Sequence, residues 1–152
     1  MEMNYPRAVR LENEAFFTWV AQQLEQGDQV WIPVQGKSMQ PFLRERDKVL
    51  LKRVGIAEIA IGDMVLARWA QGYVLHRVIR KDRNALWLVG NNNLAQIEKI
   101  AAADLIATVV EVRRAERPVA VCNTFNKNLG ILWYYLRWPR RVVAAVRRQI
   151  WK

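Results

Sequence analysis

A chain of 152 residues suits a single domain of ordinary size, and 52% apolar residues are enough to build a core, which excludes a disordered chain. One cysteine, Cys122, and one histidine, His76, exclude an internal disulfide and give no ligand set with zinc spacing, so neither metal nor cofactor is expected. The formal charge of +10 is uneven: the eight basic residues Arg117, Lys127, Arg137, Arg140, Arg141, Arg147, Arg148 and Lys152 follow position 116 with no acidic residue among them. A nearly neutral body therefore carries a cationic tail, suited to phosphate-bearing partners.

The opening residues, Met1 to Arg7, offer no apolar stretch after a basic start, so a secretory leader is not expected. Residues 11–26 carry Phe16, Phe17, Val20 and Leu24 at helical spacing, and Gly27-Asp28 ends that helix. Val30, Ile32 and Val34 then alternate with Trp31, Pro33 and Gln35, the period of a strand. Gly36 to Pro41 breaks the alternation as a turn. Strands are expected at Lys48–Arg53, Met64–Trp69, Tyr73–Arg80, Leu86–Val89 and Leu105–Arg113, with hairpin turns at Gln71-Gly72 and Asp82-Arg83-Asn84. Short strands at this spacing argue for a mainly β body, a barrel or sandwich, not alternating β and α units.

Beyond residue 124 the character changes. Residues 1–124 read as one domain and 125–152 as an appended tail of two amphipathic helices, Leu129–Trp138 and Pro139–Trp151. The longest uncharged apolar run, Leu129 to Leu136, falls far short of the roughly 20 residues that span a bilayer. On the second helix Val142, Val143, Val146 and Ile150 share one side, opposite Arg140, Arg141, Arg147 and Arg148. Aromatic and cationic side chains on such a helix suit the headgroup layer of an anionic membrane, with Trp133, Trp138, Arg140, Arg141, Arg147 and Arg148 as the expected contacts. The competing reading is a helical pair that caps the body with its aromatics. Nucleic acid is disfavoured as a partner, because no reader motif accompanies the basic residues.

Three segments carry the chemistry in order: Gly36-Lys37-Ser38-Met39-Gln40-Pro41, Gly62-Asp63-Met64-Val65, and Leu75-His76-Arg77-Val78-Ile79. A serine on a turn after a buried strand is held stiffly and presented outwards, but a serine at its free pKa needs a base within hydrogen-bond reach. The single histidine, fixed mid-strand, can supply it. Cys122 has no second histidine to activate it and reads as an apolar filler.

This ordered trio resembles the type I signal peptidases and, more distantly, the self-cleaving repressor peptidases. Ser38-Met39-Gln40-Pro41 matches the nucleophile segment, Gly62-Asp63-Met64-Val65 the following strand, and Arg77-Val78-Ile79 the segment that carries the base. His76 before Arg77 is similar to the histidine type of the endoplasmic reticulum and archaea. The resemblance implies a serine endopeptidase with a signal-peptidase-like fold and a dyad of Ser38 and His76. It implies oxyanion stabilisation by the Ser38 backbone N–H, since Gly36 offers no hydroxyl. It also implies an extended peptide or precursor lying beside Val30–Gln35, with Val34, Gln35, Met39 and Leu75 around small pockets. The chain departs from the type at Gly90-Asn91-Asn92-Asn93, where the histidine type has an aspartate in place of Asn91. Asn91, Glu98 and Asp104 are the candidates to support the histidine. The setting expected is cytoplasmic, peripheral on the inner membrane face, and maturation of a precursor there. The alternative is an inactive peptide-binding module of the same fold at the membrane surface.

Overall fold

The structure is a computed structural model describing residues 7–92 and 96–150; side chains at 7–13, 137, 138, 140, 143, 144, 149 and 150 are outside the described set. The expected turn residue Asn93 and the expected tail residue Trp151 also lie outside it.

Helix α1 (Arg7–Glu25) opens the described chain. Val20 and Leu24 are fully buried and Phe17 stacks on Tyr73 with ring centroids 4.3 Å apart, while Phe16, expected on the same side, is over a third exposed. Gly27, at φ 88°, takes the left-handed conformation that ends a helix, and the Asp28 N–H returns to the Gln23 carbonyl.

The body is an antiparallel sheet of eight strands: β1 (Val30–Pro33), β2 (Lys48–Lys52), β3 (Met64–Trp69), β4 (Gly72–Lys81), β5 (Ala85–Val89), β6 (Glu98–Ala101), β7 (Leu105–Arg114) and β8 (Arg117–Pro118). The order is β1-β2-β7-β3-β4-β5-β6, with β8 added to β7. The mainly β expectation holds, with the N-terminal and C-terminal helices in place. Two expectations shift in detail. The β3–β4 turn is Ala70-Gln71, closed by Trp69 opposite Gly72, one residue before the expected step. The short strands β6 and β8 are not among the expected ones.

The sheet has two cores because strand side chains alternate. On β3, Met64 and Leu66 enter one cluster with Val20, Leu24, Ile32, Leu43, Leu51 and Val112. Val65 and Ala67 enter the other, with Ile59, Val78, Leu86, Leu88 and Ile100. A strand buried on both faces loses its polar alternation, which is why β3 reads as a continuous apolar run. Register shifts between Leu50 and Leu51, Leu66 and Ala67, and Val78 and Arg80 mark bulges, which sharpen the twist that lets one sheet serve two cores.

Under the first core, Asp47 is 2% exposed and accepts from Arg114 Nε (2.9 Å) and NH2 (2.8 Å), with the Arg44 backbone N–H adding a third bond at 2.9 Å. Burial opposes its ionisation, but the hydrogen bonds and charges of Arg114 and Arg44 outweigh it and hold the carboxyl below its ordinary range. A folded pKa depressed in this way contributes stability that is full above about pH 4 and lost as pH falls through the folded value. Acid unfolding followed by circular dichroism is therefore expected to show a flatter pH dependence for Asp47→Asn than for the native chain below about pH 4.

The tail forms α2 (Thr124–Tyr135) and α3 (Arg137–Ile150), with α2 starting five residues earlier than its apolar pattern suggests. The reason is capping: Asn123 precedes the helix and its side chain accepts from the Asn126 N–H at 2.9 Å. No described helix is long and apolar enough to cross a membrane.

Candidate active site

Ser38 sits on the turn that leaves the β1 segment. Gly36, at φ 79°, reverses the chain there without a Cβ penalty. The turn is anchored by Met39, which is 3% exposed, and its carbonyl accepts from the Phe42 and Leu43 N–H groups, both at 3.0 Å. Ser38 itself is exposed. A buried neighbour and an exposed hydroxyl give a reactive group on a rigid support.

His76 lies in the middle of β4, opposite Val65 of β3, and is 7% exposed. Its Nε2 is 3.1 Å from Ser38 Oγ and its Nδ1 is 2.9 Å from Glu98 Oε2. Glu98 is 2% exposed and heads β6, opposite Leu88 of β5. A carboxylate accepts only, so Nδ1 carries the proton that binds Glu98 and Nε2 presents its lone pair to the Ser38 O–H. Serine, histidine and glutamate thus form one chain of hydrogen bonds, open to solvent at the serine and closed at the carboxylate.

The other two candidates for supporting the histidine stand elsewhere. Asn91 is buried, but its Oδ1 accepts from Arg77 Nε at 3.0 Å and its Nδ2 donates to the Gly130 carbonyl at 3.3 Å. Asp104 accepts from the Ala101 N–H at 3.3 Å and caps the short turn before β7. The asparagine that departs from the histidine-type pattern therefore takes no part in orienting His76. Lys37, adjacent to the serine, is exposed, and the imidazole occupies the position of a base.

Gly90 makes this convergence possible, a role that no local sequence pattern marks. A Cβ there would stand 2.8 Å from the Ser38 carbonyl oxygen, 3.1 Å from Ser38 Cβ and 3.1 Å from His76 Nε2. The next residue but one locks the same approach, since the Asn92 N–H donates to the Ser38 carbonyl at 2.7 Å. Gly90→Ala must push the serine turn away from the imidazole, and a displacement near 1 Å lowers turnover about 10²-fold. The expected result is a kcat loss of about that size with the far-ultraviolet circular dichroism unchanged, measured on any peptide the native chain cuts.

Behind the triad, Arg77 is fully buried. Besides Asn91 it donates to the Gly62 carbonyl through NH1 at 2.7 Å, and its guanidinium lies over the Phe42 ring at 4.9 Å. Its NH2 has no partner among the described residues, and burial pulls its pKa down to about 10, which leaves it charged at neutral pH. Helix α2 closes this side: Gly130 packs on the guanidinium, Trp133 Nε1 donates to the Asn91 carbonyl at 2.9 Å, and Lys127 pairs with Asp63 at 2.5 Å. Trp133, expected at a membrane, is thus half-buried against the loop behind the site. The side chains of Trp138 and Arg140, two further expected membrane contacts, lie outside the described set, whereas those of Arg141, Arg147 and Arg148 are exposed.

Of the expected pocket residues, Val34 and Met39 are buried in the first core, Leu75 is half-buried against it and Gln35 is exposed. The β1 strand is an edge of the sheet, paired with β2 alone. Cys122 is half-buried, its Sγ 3.9 Å from the Val109 carbonyl, and burial pushes its thiol pKa up, so it is a packing residue without the features of a nucleophile. Among the described residues no cluster of acidic, histidine or cysteine side chains could hold a metal ion.

Fold and site together define a β-rich domain of serine-peptidase type. The family model described as Peptidase S24-like matches residues 1–110, and the chain belongs to that family. The match supports the wider peptidase superfamily to which the sequence pointed. No curated protein matches the chain.

Proposed function

We propose that the protein is a serine endopeptidase that cuts an extended peptide or precursor through Ser38, His76 and Glu98. The observation that carries this reading is the unbroken chain from Ser38 Oγ through both ring nitrogens of His76 to Glu98. His76 Nε2 takes the hydroxyl proton as Oγ attacks the scissile carbonyl, while Glu98 holds the ring and stabilises the imidazolium. The oxyanion faces the Ser38 backbone N–H, which has no backbone acceptor among the described residues. The imidazolium then returns its proton to the leaving amine. Water, activated by the same nitrogen, hydrolyses the Ser38 ester and frees the enzyme.

The substrate strand adds to the open edge of β1, where backbone hydrogen bonds give affinity and alternate side chains give specificity. Gln35 flanks that path, and Leu75 with the buried Val34 and Met39 underlies it. The resemblance to the signal peptidases makes small residues before the cut the expected preference. A histidine rather than a lysine before Arg77 is what favours a histidine-type site within the peptidase superfamily. A peptide-library digest read by mass spectrometry tests the proposal: the native chain is expected to cut at positions following small residues. Retention of library peptides without any cleavage would sink the peptidase reading in favour of a binding module.

A further inference from the structure

Helix α2 shows two different faces. Gly130 and Trp133 dock on the body, but Phe125, Leu129, Leu132 and Leu136, spaced four, three and four apart, form a single stripe that none of the described residues covers. Phe125 is 73% exposed and Leu132 is 52% exposed. Tyr135 extends the stripe, and on α3 Val142 and Val146, one turn apart, are each nearly half exposed. Apolar side chains left open along two consecutive helices exceed the scattered exposure that is normal for a soluble surface. The helices that bear them have Arg141, Arg147 and Arg148 exposed and no acidic residue anywhere from 117 to 152.

We infer that this surface docks on an anionic lipid bilayer, with the α2 stripe and the α3 valines entering the headgroup–acyl boundary and the arginines meeting lipid phosphates. Charge decides the occupant. An apolar surface on a helical pair wholly free of carboxylates repels a second copy of itself but matches a negatively charged interface. Nucleic acid accounts for the arginines and leaves the leucine stripe in water. The docking residues therefore differ in part from those the sequence suggested: Trp133 is half-buried against the Asn91 loop, and the exposed leucines that flank it on α2 face the lipid. Because α2 also contacts the Asn91 loop, bilayer docking would sit directly behind the triad. The inference does not depend on the peptidase reading.

Sedimentation of the full chain with vesicles tests it. Vesicles of equal parts phosphatidylglycerol and phosphatidylcholine are expected to bind at least about tenfold more tightly than phosphatidylcholine alone, as several arginines near the surface require. High salt should weaken the difference. Leu132→Glu, at an exposed position, is expected to reduce binding about tenfold or more with the circular dichroism spectrum unchanged, and Phe125→Ser provides a second variant should the first misfold. Native chain that stays in the supernatant, or that binds both vesicles equally, overturns the inference. So does undiminished binding by both variants. Tight binding to mixed-sequence duplex DNA, unaffected by Leu132→Glu and without vesicle binding, would assign the surface to nucleic acid instead.

Discussion

Ser38→Ala and His76→Ala are each expected to lower cleavage on the order of 10⁶-fold, and the double variant no further, because the two act as one unit. The reason lies in the geometry. At 3.1 Å from Nε2 the serine hydroxyl has a base in place, and among the described residues His76 is the only side chain hydrogen-bonded to it. Glu98→Gln should fall between these variants and the native chain, with a loss of about 10³–10⁴-fold. Its amide can offer an N–H to Nδ1, which moves the ring proton to Nε2 and points it at the serine it should deprotonate. Glu98→Ala should add a loss of stability of about 1–3 kcal/mol, since the buried Nδ1 is left without a partner. Single-turnover cleavage of a peptide from the library digest measures all five variants, with thermal melts separating folding from catalysis. Retention of native activity by Ser38→Ala would remove the serine from the mechanism.

The second large effect is expected at Gly130. A Cβ there would lie 2.4 Å from both Cζ and Nε of Arg77, closer than any packed atoms can approach. A guanidinium at the end of a long side chain ordinarily moves aside, but this one is fully buried and held by Asn91 and the Gly62 carbonyl. Gly130→Ala must therefore lift α2 or break those bonds, and overpacking of this kind destabilises by about 1–3 kcal/mol. Arg77→Ala removes the clash but leaves Asn91 Oδ1 and the Gly62 carbonyl unpaired, at about 1–3 kcal/mol for each buried group. The two changes touch the same atoms, so the Gly130→Ala/Arg77→Ala double variant is expected to lose less than the sum of the singles, read from chemical denaturation as a double-mutant cycle. Strict additivity would mean that α2 does not bear on Arg77. Both singles should also slow cleavage, because Asn91 adjoins the glycine against which Ser38 and His76 pack.

Much of this molecule is legible in the residues alone. Period-two alternation marks the strand at Val30, and short apolar runs bounded by turn residues mark the five at Lys48, Met64, Tyr73, Leu86 and Leu105, all present in the sheet. The ordered trio around Ser38, Gly62-Asp63 and His76-Arg77, through its family resemblance, singles out Ser38 and His76 as candidates, and the fold brings their side chains within 3.1 Å. The four residues of β6 escaped notice. Only Glu98 and Ile100 alternate there with Lys99 and Ala101, too short a pattern to stand out, yet the shared parity of Glu98 with buried Ile100 was the available sign that this carboxylate faces inwards. Which acid supports the histidine was beyond the sequence for the same reason: Asn91, Glu98 and Asp104 lie close along the chain, and β pairing alone brings Glu98 across β5 to His76 while turning Asn91 to Arg77. The glycines behave likewise. Gly90 and Gly130 look like any other glycine until long-range packing sets Ser38 and Arg77 against them. Local periodicity and side-chain chemistry determined most of the elements and the candidate pair Ser38 and His76; contacts between residues distant in sequence decided which carboxylate meets the imidazole, the glycines that admit their approach, and the face that α2 turns away from the body.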